Sequence, residues 1–343
     1  MKSGFRLLVL SVIFVIEVRA QDPQFSQYYA APLYHNPALA GGAFRDRITM
    51  NHRVQWPSIP GAFVTHTIGY DHYARKYNSG FGFMAMTDRA GSGALRSTNL
   101  AAQYAYQWSL NRTWVARGGM QFGYGFRSLD YFALTFGDQV DPRGFANRPT
   151  TTDPSQFDVE NVGYMDIGAG ALLFSRKLWF GFAAHHLNTP NQSLVEGVSV
   201  LPARYTFNAG GVISLENRLV RRRNARRNQM PQKSITPSVL YKFQGEFDQL
   251  DAGCYIYYNP IAVGFWYRGL PIKNYRQGLY NHDAVVMLLG IKKANYRIGY
   301  SYDITISGLG MGTGGAHEIS LAYEFNTKSK QRKPQKVIPC PKF

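Results

Sequence analysis

Short runs of alternating apolar and polar residues fill most of the chain, and each run ends at Gly, Pro, Asn or Asp. Fourteen such runs can be counted, and a period of two residues predicts that they are β-strands. In the last run, His317–Phe325, Ile319 and Leu321 share one face whereas Glu318 and Ser320 share the other. An apolar face opposite a polar face predicts a strand with lipid on one side and the lumen of a barrel on the other.

The connections between these runs alternate between long and short. The long connections are Phe132–Gly163, Asn188–Ala203, Gly269–Asp283 and Asp303–Ala316. The short connections are Ser109–Arg112, Ser175–Lys177, Asn259–Pro260 and Lys293–Asn295. In an even-stranded membrane barrel, long outer loops alternate with short inner turns and both termini face the periplasm. The pattern therefore predicts an all-β, transmembrane antiparallel barrel of about 14 strands, integral to the bacterial outer membrane with both termini periplasmic.

The composition agrees with a barrel of short strands. The chain contains 34 Gly, 23 Tyr and 22 Phe, and only 17% of its residues are charged, which suits strands that pack on glycine between aromatic girdles. After residue 20, no run of about 18 apolar residues occurs, so no transmembrane helix is predicted. The cysteines, Cys254 and Cys340, could pair or stay as free thiols, and the sequence favours neither.

The first residues predict export. Lys2 and Arg6 precede an apolar run at Leu7–Ile16, and Val18 and Ala20 provide the small residues of a cleavage site. An uncleaved anchor helix would need a longer apolar run. The chain is therefore predicted to divide into a signal peptide at 1–20, an N-terminal segment at 21–42, a barrel at 43–325 and a basic periplasmic tail at 326–343.

The segment at 21–42, called the leader below, is too apolar to lie in water. Phe25, Tyr28, Tyr29 and Leu33 are large side chains that need a surface to bury against. It is predicted to fill or line the periplasmic mouth of the barrel and to act as a plug or a partner-binding element, although a simple linker is the alternative.

The second half of the leader predicts one turn of helix. Asn36 is a good N-cap, Pro37 suits the first helical position, and Gly41 suits the end. The candidate plug or partner-binding residues of the leader are therefore Asp22, Phe25, Tyr28, Tyr29, Leu33, Asn36, Pro37 and Gly41.

Positive charge is concentrated in two segments that strand parity places on the periplasmic side. The connection Glu216–Ser234 carries seven basic residues against one acid, and the tail carries six basic residues and no acid. Such segments suit an acidic periplasmic protein or lipid phosphates as partners. Nucleic acid is not predicted as a partner, because the chain is exported. A solvated loop that only tunes solubility is the alternative. The docking candidates are Arg221, Arg222, Arg223, Arg226 and Arg227.

No motif in the chain supports catalysis, a cofactor or a metal site. The glycine-rich string Gly310–Gly315 is followed by a predicted strand, whereas a dinucleotide site requires a helix there. His185 and His186 are adjacent, so a strand would send them to opposite faces. The chain is therefore predicted not to be an enzyme.

Both ends of the chain resemble the PorP/SprF family of type IX secretion system membrane proteins. The similar motifs at the start are Asp22–Tyr29, Pro32-Leu33 and Asn36–Gly41, and those at the end are Ser301–Thr305, Gly315, His317–Leu321 and Pro339–Phe343. The resemblance implies an outer-membrane barrel in the machinery that exports proteins with a C-terminal secretion domain, some of them surface adhesins used in gliding motility. It also implies periplasmic and outer-membrane secretion components as partners, and no catalytic residues.

Two functions are consistent with these patterns. The first is a secretion barrel that docks type IX components or the C-terminal secretion domain of its cargo. The alternative is an outer-membrane channel for small hydrophobic or polar solutes, with the leader as its plug.

Overall fold

The computed structural model describes residues 22–91, 95–130, 134, 137–141, 144–145, 161–194, 197–217, 219–220, 224, 231–276, 279–325 and 338–339. Within these ranges, fourteen antiparallel strands form one closed sheet. The first seven are β1 (Asp46–Gln55), β2 (Phe63–Ala74), β3 (Ser79–Ala90), β4 (Leu95–Ser109), β5 (Val115–Ser128), β6 (Val162–Phe174) and β7 (Leu178–His185). The others are β8 (Arg204–Gly211, continued by Ile213–Ser214), β9 (Lys233–Gln244), β10 (Phe247–Tyr258), β11 (Ile261–Arg276), β12 (Leu279–Lys293), β13 (Tyr296–Thr305) and β14 (Ala316–Phe325).

Each strand pairs with its neighbours in the sequence, and β14 pairs with β1 to close the barrel. The closing pair has ten residue pairs, from Asp46 opposite Phe325 to Gln55 opposite Ala316. Closure leaves no unpaired strand edge, which a bilayer would not tolerate. The predicted fold class, a transmembrane antiparallel barrel of about 14 strands, is confirmed.

Polar side chains face the lumen and apolar side chains face outward. On β1, Arg47 and Arg53 are buried inside the barrel, whereas Met50 points outward. On β14, Glu318 is fully buried and Ile319 is 52% exposed. The alternation predicted for the last strand is therefore present, and the outward face offers lipid an apolar surface.

The two ends of the barrel differ in their connections. The near rim is defined here as the end where β1 begins and β14 ends, and the far rim as the opposite end. Connections on the near rim include the tight turns at 175–177, 259–260 and 294–295, whereas the far rim carries the long connections at 129–161 and 186–203. A small hairpin, Val140–Asp141 with Gly144–Phe145, lies in the first of these.

One predicted far-rim loop is wrong. Most of Gly269–Asp283 is strand, because β11 runs to Arg276 and β12 begins at Leu279. Register shifts after Arg268 and Leu270 let the pair continue. Backbone ladder bonds do not depend on side-chain polarity, so a hairpin can extend past the apolar band that the sequence pattern detects.

The helical pieces with described bounds are short. They are α1 (Pro32–His35) and single 3-10 turns at Pro37–Leu39, Arg75–Tyr77, Gly137–Gln139 and Met311–Thr313. Leu219, Val220 and Asn224 are also helical. No helix in the described part of the chain is long and apolar enough to cross a bilayer.

The leader lies inside the barrel and runs along its axis. Its first described residue, Asp22, contacts His186 and Arg204 at the far ends of β7 and β8. At the other end, Gly41 lies against the backbone of His72 and Gly80 at the near rim. The prediction that the leader starts on the same side of the barrel as the basic connection Glu216–Ser234 is therefore wrong, because it starts at the opposite, far rim. The chain runs through the lumen and then returns as β1.

The end of the chain returns to the near rim. Ile338 is 1% exposed and belongs to the same buried cluster as Phe44 and Tyr73. Its side chain lies against Gly42 of the leader. The described part of the tail therefore docks beside the place where the leader leaves the lumen.

Candidate functional site in the barrel lumen

The centre of the candidate site is Ser26, which the barrel wall binds through charged side chains. The Ser26 backbone N–H donates to Glu318 Oε2 at 2.7 Å, and its hydroxyl donates to Asp303 Oδ2 at 2.6 Å. The same hydroxyl accepts hydrogen bonds of 2.9 Å from Arg53 Nη1 and from Arg268 Nη2. Bonds to ionised groups are stronger than neutral ones, so this small residue is held firmly.

Gln27 is fully buried beside Ser26 and bonds through both ends of its amide. Its Nε2 donates to the Glu318 carbonyl oxygen at 2.9 Å and to Ser301 Oγ at 3.2 Å. Its Oε1 accepts a 2.6 Å bond from Ser320 Oγ. Gly299 provides the space for this amide, because a Cβ there would collide with Gln27 Oε1.

The wall groups around Ser26 form a buried network of opposite charges. Arg53 lies 2.9 Å from Asp303 and 3.4 Å from Glu318, and Arg268 lies 2.8 Å from Asp303 and 3.1 Å from Asp251. Buried charges are tolerated where partners compensate the lost hydration. The leader adds to that compensation, since Ser26 donates to two of the acids and accepts from both arginines.

Four large side chains anchor the leader by apolar contact. Phe25, Tyr28, Tyr29 and Leu33 are all less than a tenth exposed. Tyr28 packs edge-to-face on Trp266 at 5.5 Å between ring centroids. Tyr29 packs likewise on a tyrosine of β10 at 5.2 Å. Burial of each such side chain contributes roughly 1.5–3 kcal/mol.

The predicted helical turn is present as the 3-10 turn Pro37–Leu39. The Asn36 side chain caps it by accepting a 2.8 Å bond from the Ala38 backbone N–H. The Asn36 amide also donates to the carbonyl oxygens of Ala171 at 3.2 Å and Phe182 at 3.0 Å. One residue therefore caps the turn and fixes it to β6 and β7.

Glycines in the wall make room for the leader's backbone. A Cβ on Gly80 would collide with the Ala40 carbonyl, and one on Gly119 would collide with the Ala38 backbone. A Cβ on Gly170 would collide with the Asn36 side chain. These lumen-facing glycines, on β3, β5 and β6, form a groove in which the second half of the leader lies.

Asp22 is held at the far end of the lumen by a charged cluster. Its carboxylate accepts a 2.7 Å bond from His186 Nε2 and lies 2.8 Å from Arg204 Nη1. His186 Nδ1 lies 2.8 Å from Asp166 Oδ1. Because both ring nitrogens of His186 face carboxylates, the geometry fits a doubly protonated imidazolium. The Asp22 cluster, defined as Asp22, Asp166, His186 and Arg204, balances two negative and two positive charges.

The surroundings shift the pKa values of both partners. Burial alone would lower the pKa of His186, but the carboxylates of Asp22 and Asp166 outweigh it and raise that pKa to about 9. Burial alone would raise the pKa of Asp22, but His186 and Arg204 hold it well below its usual range. Both groups are therefore charged at neutral pH.

Sequence reasoning missed His186. The prediction that His185 and His186 lie on opposite faces is wrong, because β7 ends at His185 and His186 has a positive φ of 56°. That break turns the second ring back toward the lumen, so both histidines line the same cavity. The signal in the sequence is the turn chemistry of Asn188 and Pro190, which ends the strand earlier than its apolar pattern does.

A cavity of about 800 Å³ occupies the lumen on the far side of the leader. Its wall mixes charged and apolar groups, among them Arg127, Lys242, Asp88, Met84 and Met86. The leader forms its floor through Asp22, Pro23 and Gln24. The lumen is therefore divided into a filled near part and a hollow far part.

The five arginines Arg221, Arg222, Arg223, Arg226 and Arg227 lie outside the described residues, as does Cys340. In the described part of the same connection, Glu216 is the hydrogen-bond acceptor. Its carboxylate accepts bonds from the Asn224 side chain at 2.9 and 3.0 Å and from the Gln232 backbone N–H at 2.7 Å. Cys254 is half-buried and is a free thiol.

The remaining motifs carry no chemistry in the described part of the chain. The glycine-rich string Gly310–Gly315 forms a turn that leads into β14 and not into a helix. Among the described residues, no group of three His, Cys, Asp or Glu side chains is placed to hold a metal ion.

A closed barrel with a polar lumen, an apolar outer face and an internal N-terminal segment defines an outer-membrane β-barrel protein. A family model described as type IX secretion system membrane protein PorP/SprF matches residues 17–323. The chain therefore belongs to the PorP/SprF family, and it is a membrane component of the type IX secretion system.

The chain is also similar to solved barrels. It is 7% identical to the Acinetobacter baumannii outer membrane protein Omp33, with a TM-score of 0.43 over 82% of this chain and 98% of that one. It is 11% identical to the Ralstonia pickettii toluene transporter TbuX, with a TM-score of 0.47 over 87% and 94%. It is also 11% identical to the CymD monoaromatic hydrocarbon channel, with a TM-score of 0.46 over 88% of this chain and 94% of that one. No curated protein matches the sequence.

Proposed function

We propose that this protein is a plugged, non-enzymatic barrel that serves type IX secretion by docking secretion-system partners or the C-terminal secretion domain of exported surface adhesins. The observation that carries the proposal is the occupied lumen. A leader bound along the barrel axis does not suit an open channel for solutes, so the surfaces at the rims are left as the functional ones.

The energetics support a leader that stays in place. Four buried anchors at roughly 1.5–3 kcal/mol each add to the bonds of Ser26, Gln27 and Asn36. An opening that costs about 5.5 kcal/mol would already be populated in only about one molecule in 10⁴. Spontaneous release of the leader would therefore be rare, and passage of solutes through the lumen would be rare with it.

The near rim is the proposed docking side, and we place it in the periplasm together with the tail, whereas the start of the leader lies at the opposite rim. The basic connection between β8 and β9 and the basic tail both belong to this rim. A basic surface attracts acidic partners and speeds their association. Within this connection, Glu216 accepts hydrogen bonds from the Asn224 side chain and from the Gln232 backbone N–H.

The test is neutralisation of the arginine-rich stretch, followed by recovery of type IX components in a pull-down from native membranes. Replacement of Arg221, Arg222, Arg223, Arg226 and Arg227 by Gln is expected to reduce recovery at least about tenfold, because several charge pairs would be lost together. Normal barrel assembly, judged by heat-dependent gel mobility, must accompany that loss.

The matched control neutralises five basic residues elsewhere on the near rim. These are the exposed residues Arg45, Lys76, Arg112, Lys177 and Lys293. Retained recovery in the control and loss in the test variant would assign docking to the β8–β9 connection. Equal recovery in wild type and test variant would remove that connection from the proposal.

A further inference from the structure

The closing seam of the barrel, defined as the pairing of β1 with β14, joins strands that no turn connects. One of its pairs, Arg53 opposite Glu318, brings together residues that are 265 positions apart in the sequence. Contacts over such separations must offset a large loss of chain entropy. A hairpin pair is held by its turn, so the seam depends more on its own contacts than most neighbouring pairs do.

The leader contacts both sides of this seam at one level of the barrel. On the β1 side, Arg53 Nη1 donates to Ser26 Oγ at 2.9 Å. On the β14 side, Glu318 accepts from the Ser26 backbone N–H at 2.7 Å and from the Gln27 N–H at 3.3 Å. Arg53 and Glu318 also approach each other at 3.4 Å across the seam.

Gln27 strengthens the hold on β14. It donates to the Glu318 carbonyl oxygen and accepts from Ser320 Oγ, so two residues of that strand, Glu318 and Ser320, bind the leader. All these partners are buried: Arg53 is 3% exposed, Ser320 is 5% exposed, and Glu318 and Gln27 are fully covered. Without the leader, these polar groups would lose partners inside a confined lumen.

We propose that the dipeptide Ser26-Gln27 is a clamp on the closing seam, so that the leader secures barrel closure in addition to filling the lumen. The site is a built binding site in the wall for a Ser-Gln pair presented at a bend of the leader, with Arg53 and Glu318 as its two sides. This role goes beyond docking, because it concerns how the barrel is kept closed.

Hydrogen exchange of the full-length protein in nanodiscs, followed by mass spectrometry, tests the clamp. The double variant Ser26→Ala, Gln27→Ala is expected to exchange the amides of β1 and β14 at least about tenfold faster than wild type, because local opening controls exchange. The single variant Gln27→Ala, expected to affect β14 more than β1, provides a milder second case if the double variant assembles poorly.

Asn36→Ala is the matched control. It also removes buried bonds between the leader and the wall, but on β6 and β7, far from the seam around the barrel. In this variant, hydrogen exchange is expected to be faster than in wild type in β6 and β7, and not in β1 and β14. Unchanged exchange in the Ser26 and Gln27 variants, or an even increase around the whole barrel, would overturn the proposal.

A disulfide across the seam provides a second readout. Thr49 and Ala322 are opposite each other in the seam register and face the lumen. The substitutions Thr49→Cys and Ala322→Cys, in a background with Cys254→Ser and Cys340→Ser, would lock β1 to β14 after oxidation. In the double variant, the oxidised disulfide is expected to return hydrogen exchange of the β1 and β14 amides to the wild-type rate. Reduction of the disulfide is expected to make that exchange fast again. Fast seam exchange that persists in the oxidised protein would contradict a clamping role.

Discussion

At the scale of single residues, the Asp22 cluster shows how one side chain can hold the start of a segment. His186 uses both ring nitrogens, one toward Asp22 on the leader and one toward Asp166 on the wall. This arrangement needs the charged imidazolium, because a neutral ring has only one N–H to donate. The strength of the attachment therefore depends on pH.

The sign of that dependence follows from the two pKa shifts. The pKa of His186 is raised from 6.5 to about 9, so its contribution is complete below about 6.5 and is lost as pH rises through about 9. The pKa of Asp22 is depressed, so its contribution is present at neutral pH and is lost only in strong acid. We expect the attachment of the leader's start to weaken between pH 7 and pH 10.

His186→Gln should remove this dependence. Between pH 7 and pH 10, the free energy of unfolding in urea is expected to fall by about 2 kcal/mol more in wild type than in the variant, given about 1.4 kcal/mol per pKa unit. His66→Gln is the control, because His66 lies on the outer face, away from the leader. Equal pH dependence in wild type and His186→Gln would show that the imidazolium does not hold Asp22.

At the scale of elements, the leader and the strands are shaped for each other. The strands alternate polar and apolar residues because one face contacts the bilayer, whereas the glycines that face the leader provide space for its backbone. They leave out a Cβ where the backbone of residues 38–40 approaches the wall. The second half of the leader therefore occupies a groove that larger side chains would close.

Two neighbouring glycines on β5 test the groove, since they face opposite sides of the same strand. Gly119→Ala is expected to lower the free energy of unfolding by about 1–3 kcal/mol through overpacking, because its Cβ would collide with the Ala38 backbone. It should also make the leader more susceptible to protease. Gly118→Ala adds a Cβ on the outer face, 3.2 Å from the Trp108 ring, and should change both quantities little. Similar effects of the two substitutions would mean that the groove does not hold the leader.

At the scale of the whole molecule, the barrel is a closed wall around a segment of its own chain. Leader residues fill the near part of the lumen and form the floor of the far cavity. The buried Ile338 adds a contact from the tail at the near rim. The proposed consequence is a barrel that does not conduct ions or solutes in its resting state.

Deletion of Asp22–Gly41 tests this consequence. In planar bilayers, wild type is expected to be silent and the deletion variant to conduct, because the lumen would then be filled with water. The deletion should also abolish export of the surface adhesin if the leader belongs to the secretion machinery. In the deletion variant, the oxidised disulfide between positions 49 and 322 can keep β1 paired with β14, so that the barrel stays closed without the leader. Heat-dependent gel mobility shows whether this variant has assembled.

The outcomes of this experiment separate the two candidate functions. Conductance together with loss of export agrees with a plugged secretion barrel. Conductance with normal export would favour a solute channel that the leader plugs. An assembled deletion variant without conductance would show that the leader is not what closes the lumen.

The sequence by itself determined the strands and the turn of the leader. A period of two residues is a local property, and so are the N-cap of Asn36 and the fixed φ of Pro37. The apolar residues Phe25, Tyr28, Tyr29 and Leu33 could likewise be selected as buried, because their burial depends mainly on side-chain chemistry. Their function as a plug or a partner-binding element is still a prediction.

Only the tertiary structure decided where the leader runs and what binds it. Asp22 meets His186 across 164 positions of sequence, and Ser26 meets Glu318 across 292. No local pattern encodes such pairs, because each depends on how fourteen strands are staggered around the ring. For the same reason, strand parity placed the start of β1, the end of β14 and the basic connection at one rim, as the structure has them, but could not show that the preceding segment begins at the far rim and crosses the lumen.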